Sequence, residues 1–217
     1  MTRMIDLSHT IQDGMITYPG LPAPSITEHL SRTDSSRIYA EGTTFQIGAI
    51  RMVANTGTYI DAPSHRFEQG NDIAALPLES IASLDGVIVD ATGCGRAIGA
   101  SAFSALELTG KAVLIRTGWS AHWGTERYLS GHPYLAEDAV EVIIRSRPLL
   151  VGIDSLNIDD TAAMHRPAHS QMLGHEIPIV EHLTGLELLS GPFRFFAVPA
   201  PVRGMGSFPV RAFAICE

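Results

Sequence analysis

Two cysteines, Cys94 and Cys216, are all that 217 residues contain. That is too few for a disulfide framework and fits a reducing compartment. Positive charge is also scarce, 15 Lys and Arg against 23 Asp and Glu, a formal net charge of −8. A phosphate-backbone partner would call for a basic face, so nucleic acid is not an expected ligand. No run of like charges forms an acidic tail or a basic arm. No uninterrupted apolar stretch approaches the roughly 18 residues of a membrane span. The opening Met1-Thr2-Arg3-Met4-Ile5-Asp6 lacks the apolar centre of a signal peptide, so a cytoplasmic location is expected. Internal repeats are missing. So is Gly-x-Ser-x-Gly, which leaves Ser64 without a nucleophile motif. Gly204-Met205-Gly206 lacks the strand-to-helix setting of a phosphate cradle.

What is present is an ordinary globular composition, 45% apolar and 18% charged, long enough for one domain over 1–217 with a sizeable core. Val87–Val89, Val113–Ile115, Leu149–Ile153 and Phe193–Val198 read as buried strands. Pro209–Ile215 has a less decisive period. Leu135–Arg147 has helical spacing, with Glu137 and Asp138 in its first turn and Arg145 and Arg147 in its last, as the helix dipole favours. Pro178 suits a first helical position, which would put Glu181 in the opening turns of a helix running toward Leu189. Residues 24–44 are the least regular and read as a surface arm or lid. The pattern predicts a mixed α/β (α+β) single domain.

The densest chemistry lies in Asn55-Thr56-Gly57-Thr58-Tyr59-Ile60-Asp61-Ala62-Pro63-Ser64-His65. In an extended strand, positions two apart share a face. Asn55, Tyr59, Asp61 and His65 therefore fall on one parity, and small or β-branched residues on the other. Pro63 cannot serve a sheet ladder, so the strand is expected to end near Asp61, with His65 folding back over the polar row.

This stretch resembles the His-x-Gly-Thr-His-x-Asp-x-Pro-x-His motif of the cyclase family that includes bacterial kynurenine formamidases and isatin hydrolases. Gly57-Thr58, Asp61, Pro63 and His65 keep the spacing, while Asn55 and Tyr59 stand in place of the two leading histidines. Ile5–His9 with Tyr18-Pro19-Gly20, Val113–Trp119, Val151–Ser155 and Pro209–Ala212 are also similar to family segments. The resemblance implies a swivelling β/β/α fold, a homodimer or homotetramer, and a two-ion centre. One ion would take Asn55, Tyr59 and Asp61, the other Asp61, His169 and Glu181, and His65 would transfer protons.

An asparagine oxygen is a weak zinc donor, and a tyrosine must lose a proton of pKa near 10 before it binds metal. One divalent ion (zinc or manganese) per chain, or none, is therefore expected rather than two. Asp61, His169 and Glu181 are the main ligand set and Asn55 a further one. His9, Tyr18 and His165 are candidate substrate contacts, with Arg166, His175, Trp119 and Trp123 weaker ones. The leading expectation is a metal-dependent hydrolase of a small amide or lactam, arylformamidase-like. Two alternatives stand beside it: a cyclase or dehydratase using Tyr59 and His65, and a silent small-ligand binder.

Overall fold

The computed structural model describes residues 3–216; Met1 and Thr2, part of the N-terminal stretch read for a leader, lie outside them. In chain order the strands are β1 (Arg3–Asp6), β2 (Ser25–Leu30), β3 (Ile47–Arg51), β4 (Tyr59–Asp61), β5 (Leu84–Asp90) and β6 (Ala97–Ile98). They continue with β7 (Ala112–Arg116), β8 (Tyr134–Leu135), β9 (Leu150–Ile153), β10 (Ile179–Glu181), β11 (Phe193–Phe196), β12 (Ser207–Pro209) and β13 (Phe213–Cys216). The α-helices are α1 (Arg32–Ser35), α2 (Glu137–Ser146) and α3 (Pro167–Gly174).

Nine strands make one sheet in the order β1-β13-β11-β5-β7-β9-β10-β4-β12. Its centre, β5-β7-β9-β10, is parallel, and sequence alternation divides it into two cores. Val113, Ile115, Val151, Ile153 and Ile179 point to the face covered by α2 and α3. Leu114, Leu150, Ile60 and Val180 point to the other face. Covered on both faces, these strands read as continuous apolar runs.

The run Pro209–Ile215 resolves into two strands, β12 and β13, that lie near opposite ends of the sheet order. Seven spacings of about 4.8 Å would part them by roughly 34 Å in a flat sheet. The link from Pro209 to Phe213 spans roughly 14 Å at full stretch. The sheet must therefore curl. The closing contacts are seen where Leu7 N–H donates to Ala212 O, Thr184 N–H to Leu7 O and Val210 N–H to Thr58 O.

The helix expected from Pro178 to Leu189 is not formed. Ile179–Glu181 is a strand, paired parallel to β9 and antiparallel to β4. Both of its neighbours offer free ladder groups, and β-branched Ile179 and Val180 fill a core on each face, which outweighs the proline signal. His182, at φ 58°, ends the strand, and only Leu186–Leu188 forms a helical turn, of 3-10 type. Residues 24–44 contain β2 and α1, and β2 pairs with β3, beyond them, as a two-stranded ribbon exposed along nearly its whole length, so the arm is regular in its first half and irregular over 36–44. Among the described residues, no helix is long and apolar enough to cross a membrane.

Candidate metal centre

The site is assembled by register. In β4, Asp61 lies opposite Ser207 of β12 on one side, while Tyr59 lies opposite Glu181 of β10 on the other. Residues directly opposite share a face, so Tyr59, Asp61, Glu181 and Ser207 converge on the side of the sheet covered by α3. Ile60 and Val180, between them, point into the core inside the curl. The strand covers only Tyr59–Asp61, so the parity argument holds for those two. Asn55 sits in the preceding loop and reaches the cluster by donating Nδ2–H to Ser207 Oγ at 3.3 Å.

After Ala62 the chain makes the 3-10 turn Pro63–His65. That turn puts the His65 ring over the cluster, half-exposed, with Nδ1 2.9 Å from Ser207 Oγ. Gly206 is required here: a Cβ on it would stand 2.6 Å from His65 Cα. Ser207 Oγ–H donates to Asp61 Oδ1. A hydroxyl has one proton to give, so Ser207 receives the His65 Nδ1–H, which in the neutral ring puts the lone pair on Nε2.

His169 comes from the first turn of α3. Asp159 accepts the backbone N–H groups of Ala168 (2.8 Å) and His169 (3.1 Å), capping a helix whose own N-cap, Arg166, supplies no side-chain bond. The same carboxylate lies 2.7 Å from His169 Nδ1. This turns Nε2 inward, 3.7 Å from both Asp61 Oδ2 and Glu181 Oε1. Glu181 is fully buried. It accepts from Ile158 N–H at 2.7 Å, from the Tyr59 hydroxyl at 2.5 Å and from Asn157 Nδ2 at 3.4 Å.

The electrostatics follow from three carboxylates meeting under cover. Burial, with the charge of Asp61, pushes Glu181 up to about 7. Burial would lower His169, but its hydrogen bond to Asp159 and the nearby carboxylates of Asp61 and Glu181 win and raise it to about 10. For Asp61 the burial penalty is outweighed by His169, His65 and Ser207, and the net direction is down. Burial and the neighbouring Glu181 carry Tyr59 well above the ordinary phenol range, so it is not a phenolate ligand in this setting.

The cluster fits a small cation. Asp61 Oδ2 is buried without a hydrogen-bond partner. Asp61, His65 and His169 each offer a ligand atom within 4.8 Å of the others, and 3.7 Å separations suit donors of one ion with bonds of about 2.0–2.2 Å. On the Asn55–Tyr59 side the Tyr59 hydroxyl donates its proton to Glu181, while Asn55 donates Nδ2–H to Ser207 and keeps Oδ1 as its ligand atom.

The candidate substrate contacts divide. Tyr18 is half-buried and lies within the fields of Arg166 and Glu181. His9 stacks on Trp123 at 3.9 Å and lines a cleft of about 540 Å³ with Trp123 and Tyr128. His165 is exposed in a neighbouring cleft beside α3; His175, just past α3, turns Nδ1 to Gln171 O and is also exposed. Sequence reasoning did not single out Asp159, Asn157, Ser207 or His182. The last is buried at positive φ, with Nδ1 2.8 Å from the Tyr128 hydroxyl. The one legible signal was Asn157-Ile158-Asp159-Asp160, a polar cluster following an apolar strand.

The family model described as "Putative cyclase" matches residues 5–160. A kynurenine formamidase of Bacillus cereus is 26% identical over 209 residues, 96% of this chain and 95% of that one. Among solved structures, a potential metal-dependent hydrolase with cyclase activity superposes with a TM-score of 0.83 at 24% identity, over 100% of this chain and 99% of that one. Isatin hydrolase A from Ralstonia solanacearum gives 0.85 at 22%, over 100% and 92%.

Proposed function

This chain belongs to the cyclase family, and we propose that it is a metal-dependent hydrolase of a small amide or lactam, similar in chemistry to the kynurenine formamidases it matches. One observation carries the reading. Asp61 Oδ2 and Glu181 Oε1 each lie 3.7 Å from His169 Nε2, and Asp61, His65 and His169 each offer a ligand atom within 4.8 Å of the others.

Asp61, His169 and Glu181 would hold one divalent ion, zinc or manganese, with Asn55 Oδ1 as a further donor and Tyr59 outside the ligand set. Such an ion acidifies a bound water and polarises a carbonyl. The chain's own residues do the rest. Asp159 fixes the His169 tautomer so that Nε2 is the ligand atom. Tyr59, Asn157 and Ile158 N–H hold Glu181 in place by three hydrogen bonds. Ser207 ties His65 to Asp61, so that Nε2 of His65 accepts a proton from the attacking water and returns it to the leaving nitrogen. Tyr59 gives no support to the cyclase or dehydratase alternative: its hydroxyl is buried and bonded to a carboxylate.

The substrate is a small molecule. Free Cys94 and Cys216 support a reducing, cytoplasmic setting. The β2–β3 ribbon supports a homodimer or homotetramer, because it exposes Ile26, Ile47 and Ile50, with Phe45 exposed just before β3, and a two-stranded ribbon is marginal alone in water.

The deciding experiment measures metal content and formanilide hydrolysis in protein purified without chelators, beside Asp61→Ala. About one ion per chain and turnover, both lost in the variant, are expected. Turnover that persists without metal would sink the proposal.

A further inference from the structure

Gly204-Met205-Gly206, which has no phosphate-cradle setting, leads straight into β12 and so carries Ser207, the hydroxyl between Asp61 and His65. All three residues are fastened to the stretch 62–73, which contains His65. Ala62 N–H donates to Gly206 O at 2.7 Å, and Ile73 N–H donates to Met205 O at 2.9 Å. Gly204 N–H donates to Asp72 Oδ2 at 2.6 Å. The first two bonds join main chain to main chain and need no particular side chain. The third needs Asp72. Its other oxygen, Oδ1, accepts Ala75 N–H at 3.0 Å and caps the 3-10 turn Ile73–Ala75. One carboxylate therefore ties the loop before Ser207 to a turn that follows His65.

The glycines of the loop make that tie matter. At Gly206 a Cβ would stand 2.6 Å from His65 Cα, so loop and histidine meet with no slack, and displacing one displaces the other. Gly204 has φ 79° and open space where a Cβ would lie, so glycine serves there for its left-handed backbone rather than for room. On its outer side the loop borders a cleft of about 600 Å³, lined by Ser64, Asn71, Asp72, Arg203, Gly204 and Gly206 among others. Packing does not press the loop down from that side, which leaves the hold to hydrogen bonds, and a bond to an ionised carboxylate is the stronger kind. Gly204 N–H, with Ala75 N–H behind it, keeps the Asp72 carboxyl below its ordinary range and therefore charged.

We propose that Asp72 is a positioning residue for proton transfer, acting through the Gly204–Gly206 loop to hold Ser207 Oγ between Asp61 and His65. It lies outside the ligand set and acts only through the loop. Its effect on rate rests on the hydrolase reading above, whereas its effect on the His65 ring can be read without turnover.

The test uses zinc-loaded protein and the variants Asp72→Ala and Asp72→Asn, the second of which keeps one oxygen for Gly204 N–H. With formanilide, kcat should fall about tenfold in Asp72→Ala and less in Asp72→Asn, with KM and metal content unchanged. Glu107→Ala removes the same kind of carboxylate–amide bond, to Thr109 N–H ahead of β7, and should leave kcat alone. Long-range proton–nitrogen NMR spectra, recorded well above the ordinary histidine pKa, read the ring itself. Wild-type His65 should show the Nδ1–H tautomer, and Asp72→Ala should show a mixture. If Asp72→Ala fails to fold, Asp72→Asn decides by the same spectrum. The same His65 tautomer in variant and wild type overturns the proposal whatever the rates do, and so does metal lost in step with activity. If formanilide is not turned over at all, a changed tautomer in the variant still supports Asp72, and only the hydrolase reading falls.

Discussion

The phenolic hydrogen of Tyr59 is donated to Oε2 of Glu181 across 2.5 Å, between two residues directly opposite in the β4–β10 ladder. The site therefore contains a protein donor at the place where the family motif has an imidazole. The bond holds Oε2 of a buried carboxylate, an oxygen whose other partner is Asn157 Nδ2 at 3.4 Å, while Oε1 takes Ile158 N–H at 2.7 Å.

Tyr59→Phe should destabilise the fold by about 1–3 kcal/mol, the cost of leaving a buried acceptor short of a donor. Thermal melts of metal-free protein would read it. The double substitution Asn55→His with Tyr59→His should raise the metal content from about one ion per chain to two. A stoichiometry that stays at one would show that more than the two missing imidazoles closes the second pocket.

Asp159 serves α3 and His169 with one carboxylate, so Asp159→Ala acts twice. Loss of the cap should cost about 1 kcal/mol, and loss of the charged partner on Nδ1 should weaken metal affinity about 10- to 100-fold. Competition with a chromophoric chelator measures the second effect separately. Unchanged affinity would remove Asp159 from the centre.

Much of this centre was legible because it is local. Asp61 and His65 stand four residues apart in one motif, and Pro63 announced the turn between them. The buried strands were legible for a similar reason, since apolar runs such as Val113–Ile115 and Leu150–Ile153 need no partner to be recognised. Glu181 was placed in a helix because Pro178 is a local signal, whereas the strand exists only through pairing with β9 and β4. Ser207 and Asp159 had no local signature. Ser207 meets Asp61 across 146 residues of chain, and a lone serine or aspartate in a loop carries no period. His182 is hidden likewise, its role set by Tyr128, 54 residues away.

Ser207→Ala removes the hydroxyl shared by Asp61, His65 and Asn55. The expected result is a fall in kcat of about 10- to 100-fold with metal content unchanged, because the proton-transfer residue loses its orientation while Asp61 Oδ2 is untouched. A pure rise in KM would assign Ser207 to substrate binding instead.

The ribbon makes a separate prediction. Ile50 is 51% exposed on β3, and Ile50→Glu should shift the chain toward monomer in sedimentation velocity if that strand packs on a second copy. A wild-type monomer, or an unchanged assembly in the variant, would place the apolar ribbon elsewhere.

His9 ties stability to pH. Burial against Trp123 lowers its pKa from 6.5 to about 4, so the folded chain resists a proton that the unfolded chain accepts. The sign follows from linkage: the contribution is complete above pH 6.5 and is lost progressively as pH falls from there through about 4. At full extent it is worth roughly 3 kcal/mol. Carboxylates titrate in the same window, so the informative quantity is the difference between wild type and His9→Phe, a variant that keeps an aromatic ring on Trp123. Denaturant unfolding at a series of pH values should show the wild type losing stability faster than the variant as the solution is acidified. A difference that stays constant with pH would mean that His9 is protonated as easily in the folded chain as in the unfolded one, and that its ring is held by stacking alone.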